Sequence, residues 1–403
     1  MRHSVLLLCA GLSLAATIWL TLDEDPKRRN HFNAESTTLK MGVLAPEEGI
    51  TLALTRTASG DTPHMLLITE ANREGVAAID LTAGNWTGAT DFFEVFDEIG
   101  AGSLAKMALH AKRGELSTER FEYDRLLPAA GSATRHVASG TNFPEHQEET
   151  NAQGVFNFPK FGAATPPVTS VETSPQTLLD YEVEICARFD RDIKTVEDFD
   201  AARKGFFLCG DFTDRAVLSR LVDPDNLDSG TGFSDAKSGP GQFPSGGLFV
   251  VPNTWQDFVA EERLVTWVNE ELRQDTRAGD MILSFRDLIE NVLADTQQQR
   301  FLYRNRYWYL VNDGTIGRGQ VLMSGTAEGV IFMPPTLRQI LRGALKYVTE
   351  GDVFKGTSPY TSVVASFIKE ELASGRYLQP NDQVTHLSSH MGLISTQIVE
   401  GER

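Results

Sequence analysis

Apolar and polar positions divide this chain into three regimes. Ser4 to Leu22 carry no charge, with Arg2 and His3 before them and Asp23, Glu24, Asp25, Pro26, Lys27, Arg28 and Arg29 behind. Such a run predicts a signal peptide or single membrane anchor over residues 1–24. No small-x-small cleavage site follows it, which favours an uncleaved anchor and a membrane-anchored or exported protein, periplasm-facing ahead of cytoplasm-facing. A polar linker covers 25–36. From 37 to 128, short apolar runs between turn residues predict strands, among them 49–55, 64–69 and 75–81. A helical stretch over 90–113 is interrupted at Gly100-Ala-Gly. Leu126-Leu-Pro-Ala-Ala-Gly closes this N-terminal β-rich unit. From 129 to 403, apolar strands alternate with Gly- and Pro-rich loops, and helices are predicted at 213–221 and 360–373.

Composition narrows the function classes. The chain has 403 residues, enough for at least one large core, and a formal net charge of −18. That charge argues against nucleic acid as a partner, because phosphate binding needs clustered Lys and Arg. Three cysteines without metal-ligand spacing argue against a zinc module or a disulfide scaffold.

Chemistry concentrates in the third regime. In Leu-Asp-Tyr-Glu-Val-Glu-Ile, Glu182 and Glu184 alternate with Val183 and Ile185, the pattern of a half-buried strand. Residues i and i+2 share a strand face, so the two carboxylates point the same way. A third, Asp211, ends the apolar run Phe-Phe-Leu-Cys-Gly. Three converging carboxylates make an all-oxygen site for a hard cation. Alone, the glutamates also read as exposed acids on an edge strand, and Asp211 as a helix N-cap helped by Thr213 and Asp214. Upstream, His146 and Glu149 stand at i,i+3, which on a short helix stacks carboxylate on imidazole as a general base requires; a solvated polar turn is the alternative.

In order along the chain stand Asn142-Phe-x-x-His146-x-x-Glu149, Phe158-Pro-Lys160, Asp180-Tyr-Glu-Val-Glu184, Gly210-Asp-Phe-Thr-Asp-Arg215, Lys237, Gln274, Ser324-Gly-Thr-Ala-Glu-Gly329 and Met391-Gly-Leu. This ordered set, over roughly 126–403, resembles the fumarylacetoacetate hydrolase family. The resemblance implies a β-rich α+β fold: a mixed β-roll catalytic domain of fumarylacetoacetate hydrolase type over 129–403, joined to the smaller N-terminal β-rich unit. It implies Mg²⁺, Mn²⁺ or Ca²⁺ as cofactor, held by Glu182, Glu184 and Asp211. It implies His146 with Glu149 as the water-activating pair and Lys237 as a catalytic donor. It implies Arg215 and Thr326 as substrate contacts, a small carboxylic acid as substrate, and a homodimer. Departures from the family pattern are Gly210 in place of asparagine, Leu218 where hydrolases often place glutamine, Phe143 in place of tyrosine, and Ser245-Gly246-Gly247 in place of Gly-Pro.

The function expected is a divalent-metal-dependent hydrolase that cleaves a C–C bond in an acylpyruvate-like or 1,3-diketo acid. A hydratase, decarboxylase or tautomerase of a 2-oxo acid on the same scaffold is the alternative within enzymes. A membrane-tethered, non-catalytic binding protein is the alternative outside them. Two further expectations are structural. The additional segment 331–378 predicts two amphipathic helices packed away from the metal, on the domain or at a subunit contact. Strand parity places Cys186 opposite Cys209 when Glu184 is opposite Asp211, with the two as small buried fillers ahead of a disulfide.

Overall fold

Strands form where β-branched and aromatic residues run unbroken between turns, and these runs place the site. A computed structural model describes residue 22, residues 25–56 and residues 62–401. The strands are β1 (Gly49–Thr55), β2 (His64–Asn72), β3 (Gly75–Asp80), β4 (Glu119–Phe121), β5 (Arg135–Gly140), β6 (Phe156–Phe161) and β7 (Val168–Thr173). They continue as β8 (Leu179–Asp180), β9 (Val183–Phe189), β10 (Lys204–Gly210), β11 (Thr213–Asp214), β12 (Phe249–Pro252), β13 (Arg263–Val268) and β14 (Glu271–Arg277). The last are β15 (Phe301–Tyr303), β16 (Arg306–Trp308), β17 (Leu322–Met323), β18 (Gln383–Ser388) and β19 (Leu393–Glu400).

A ten-stranded sheet runs β4-β3-β2-β1-β12-β10-β9-β17-β5-β6, and a five-stranded sheet runs β14-β13-β18-β19-β7. Both are mixed: β17 pairs parallel with β5 and β19 parallel with β7, while their other pairings are antiparallel. This is the β-rich α+β architecture that the resemblance implies. The four strands before Leu126 hydrogen bond into the larger sheet through β1 and β12. The helical stretch near Gly100 is two helices, Phe92–Glu98 and Ala101–Lys112. Phe92 of the first stacks on Phe249 of β12 at 4.5 Å between ring centroids, closing the core over that strand.

The strand carrying the glutamates is not half-buried. Every residue of β9 is buried, as is every residue of β10, because both faces of the sheet are covered here. Two helices, Leu337–Thr349 and Pro359–Ser374, fill the additional segment. Gly343 lets them close on each other, since a Cβ there would meet the Val363 Cα at 2.7 Å.

The expected localisation is corrected: no helix among the described residues is long and apolar enough to cross a membrane. The run that suggested an anchor or export signal lies, apart from Leu22, outside the described residues.

Candidate active site

The acidic cluster grows from the end of one strand pair. β9 begins at Val183, and Glu182 stands just ahead of it. β10 ends at Gly210, so Asp211 lies one step past the ladder and donates its N–H to the Glu182 carbonyl at 2.9 Å. The carboxylates of Glu182, Glu184 and Asp211 are all buried, and one oxygen from each lies within 4.8 Å of the others. The register differs from that expected: Glu184 faces Cys209, and Cys186 faces Phe207. A shift of two residues keeps every side chain on its face, which is why the carboxylates still converge. It also turns the cysteines into diagonal neighbours, 6.0 Å apart at Cα, and they are joined by a disulfide rather than left as two thiols.

Cations interleave with these acids. Lys237 Nζ lies 2.6 Å from Glu182 Oε2 and 2.8 Å from Asp211 Oδ2. Lys160 Nζ reaches Asp211 Oδ1 at 2.6 Å and also donates to the Lys237 carbonyl. Arg215 spans Glu182 Oε1 at 2.6 Å and Asp180 Oδ2 at 2.8 Å. Burial acts to raise the Glu182 pKa, but Lys237 and Arg215 outweigh it and hold the carboxyl below its usual range. Glu184 is the opposite case. Burial first, then the charges of Asp211 and Glu182, push it well above the carboxylate range. Burial works against the charge on Lys237, and Asp211 and Glu182 more than restore it, so its pKa is raised. In Lys160 burial wins over Asp211 and the pKa falls.

One turn holds the cluster and the histidine pair together. In 324–329, Gly325 N–H donates to Glu184 Oε2 at 2.8 Å and Gly329 N–H donates to Glu149 Oε1 at 2.7 Å. Gly329 has φ +93°, and a Cβ there would meet the Arg273 carbonyl oxygen at 2.1 Å, so the position requires glycine. His146 and Glu149 sit on the short helix Pro144–Thr150, with Nδ1 2.9 Å from Glu149 Oε2. Asn142 fastens that helix to the turn by donating to the Ser324 carbonyl at 2.9 Å. Thr326 is committed on the protein side: its hydroxyl donates to the Val183 carbonyl at 3.0 Å and accepts from Gln274 at 2.9 Å. His146, Glu182, Arg215, Lys237 and Thr326 all line one cavity.

Two buried groups at this site have no role assigned in the sequence reading, although both lie in its motifs. Asp180 precedes Glu182 by two residues, and Lys160 ends Phe-Pro-Lys. Asp180 ties the additional segment to the site by accepting the N–H groups of Ile331 at 2.9 Å and Phe332 at 3.1 Å. The Phe332 ring then covers the Arg215 guanidinium at 5.2 Å. The helices that follow bring Ile340, Ala344, Val363 and Phe367 to the wall of the same cavity. This corrects the expectation that they pack away from the acids.

The donor set fits a hard divalent cation. Glu184 Oε1 is buried without a hydrogen-bond partner, beside two other carboxylates. Uncompensated carboxylate oxygen is costly to bury, and a cation among the three would satisfy it.

A β-rich α+β fold with a buried acidic triad facing a histidine–glutamate pair defines the class of protein. The chain belongs to the fumarylacetoacetate (FAA) hydrolase C-terminal family, whose sequence pattern matches residues 135–399. Solved structures share the fold. The protein described as HpcE from Mycobacterium smegmatis aligns with 87% of this chain and 100% of its own at 17% identity, TM-score 0.52. Cg1458 with inhibitor aligns over 87% and 100% at 12% identity, TM-score 0.51. Fumarylacetoacetate hydrolase from Exiguobacterium antarcticum aligns over 87% and 100% at 16% identity, TM-score 0.48. No curated protein sequence matches the chain.

Proposed function

We propose that this chain is a divalent-cation-dependent hydrolase that cleaves a C–C bond in an acylpyruvate-like or 1,3-diketo acid. Glu182, Glu184 and Asp211 would hold Mg²⁺, Mn²⁺ or Ca²⁺, which supplies a Lewis acid to chelate a 2-oxo carboxylate and polarise its carbonyl. The observation that carries this reading is the partnerless Glu184 Oε1 among three buried carboxylates, in a site whose cavity also holds His146.

The other steps belong to the chain. His146 donates Nδ1–H to Glu149 in the tautomer this contact selects, leaving Nε2 as base. Nε2 takes a proton from water as the water attacks the carbonyl carbon distal to the carboxylate. Collapse of that adduct breaks the C–C bond and leaves its electron pair in an enolate, beside the fixed positive charge of Lys237. The proton held on His146 returns to the enolate carbon, giving a 2-oxo acid and a second carboxylic acid.

Leu218 favours a second reading, a lyase or isomerase on the same scaffold. It lines the cavity with an apolar side chain, where an amide could have steadied the adduct's oxygen. Incubation with a panel of acylpyruvates, with Mg²⁺ or with a chelator, tests both. Pyruvate release that needs Mg²⁺ and falls about 10²–10⁴-fold in His146→Ala, with cation affinity unchanged, is the expected result. An unaltered kcat in that variant, or isomerised product without cleavage, moves the assignment to the second reading.

A further inference from the structure

Most of the cavity lining is apolar. Leu218, Val222 and Phe233 line it, as do Ile340, Ala344 and Phe367 of the two additional helices. It encloses about 590 Å³. At roughly 30 Å³ per water-sized group, that space admits on the order of twenty non-hydrogen atoms, about twice what a dioxo acid head occupies.

Charge decides what the remainder can hold. Arg215 and Lys237 are the lysine and arginine among the described lining residues, and both are already bound to Glu182. The rim carries Tyr360, whose phenol pKa is raised by partial burial and then by the nearby Asp223 and Asp225. An acidic tail would therefore meet no free cation inside and two carboxylates at the entrance.

We propose that the substrate is a dioxo acid with a neutral apolar tail of about eight to ten carbons, seated between Leu218–Val222 and the 337–374 helices. This rests on the reaction proposed above for the head group, and makes the additional helices the specificity wall.

Two measurements test it. The first is calorimetric binding of saturated 2-oxo acids of increasing length, in Mg²⁺, which needs no turnover. The second is kcat/KM for 2,4-dioxo acids with the same series of tails. Each added methylene should tighten binding and raise kcat/KM about three- to fourfold, levelling off near eight to ten carbons. Ala344→Trp should move that plateau to shorter tails. Ile340→Arg, at a half-exposed rim position, should instead favour a tail ending in carboxylate. Length-dependent binding without turnover of any member supports the tail and sinks the reaction. Turnover indifferent to tail length sinks the tail and leaves the reaction. Tight binding confined to tails ending in carboxylate in the unaltered protein also overturns it.

Discussion

In the acidic cluster that meets the cavity at Glu182, the carboxylates of Glu182, Glu184 and Asp211 are held by buried partners on nearly every side: Lys237, Lys160, Arg215 and the N–H of Gly325. At the cavity's outer wall, helix Leu337–Thr349 turns Ile340, Leu341, Leu345 and Val348 at least two-fifths exposed to their surroundings. The cluster is a network in which each charge depends on another, so one deletion strands several groups. The wall rests on shape and apolar area, which degrade gradually. Substitutions should separate the two: in the cluster they abolish chemistry, and at the wall they retune which substrate is used.

The largest expected effect lies at Glu184. Its carboxyl is pushed above the usual range by burial and by its two acidic neighbours. Glutamine copies the neutral form of this carboxyl, the form that burial and the two acidic neighbours favour. Glu184→Gln should leave the melting temperature of the cation-free protein where it was. It should abolish the rise in melting temperature that Mg²⁺ gives the unaltered protein, and lower kcat/KM by at least about 10³-fold. A variant that keeps its Mg²⁺-dependent stabilisation would remove Glu184 from the ligand set.

Next in size is an acid sensitivity from a buried histidine of the sheet. His136 of β5 is fully buried; its Nδ1 accepts the Val321 N–H and its Nε2 lies 3.2 Å from the Gly162 carbonyl. Burial lowers its pKa from 6.5 to about 4, with the positive charges of Lys160 and Arg188 acting in the same direction. The folded state thus binds fewer protons than the unfolded state between these values. Its stability is whole above pH 6.5, is lost as pH falls toward 4, and then levels off. The loss is roughly 3 kcal/mol. The 337–374 helices contain no histidine, so no imidazole there adds to this slope. Urea midpoints from pH 7 to 4 should fall less steeply in His136→Gln; an unchanged slope would assign the acid lability elsewhere.

The same contrast explains what could be read from the chain. The acidic cluster was legible because strand parity is a local property: Glu182 and Glu184 share a face wherever β9 pairs. Even the two-residue error in register left Asp211 on their side. The diagonal Cys186–Cys209 bridge depended on that register, and so was misjudged. Lys160 and Asp180 sit in quoted motifs, but their partners lie far off in sequence, and nothing local names Ile331 N–H as the group Asp180 accepts. For the additional helices, amphipathicity shows that a face must be covered but not by what. Their docking follows from the hold of Asp180 on Ile331 and Phe332, and from Phe332 lying over Arg215.

Two glycines sharpen the comparison and give the smallest effects. Gly329, with φ +93°, sits against the Arg273 carbonyl and places its N–H on Glu149. Gly329→Ala forces a strained backbone and a displaced turn, costing about 1–3 kcal/mol of stability. With Glu149 moved, the imidazole of His146 loses its orientation, so kcat should fall for every substrate while KM changes little. Gly343→Ala also meets close backbone, the Val363 Cα at 2.7 Å, but there the neighbour is another helix of the same hairpin. Because that neighbour is backbone, the two helices must part by the better part of an ångström, and the stability cost should be about 1–3 kcal/mol. The acidic cluster is untouched, and short dioxo acids should be turned over as before. The wall is displaced, so the gain in kcat/KM per methylene should shrink for the longest tails. Equal losses for short and long substrates in Gly343→Ala would show that the hairpin supports the acidic cluster itself.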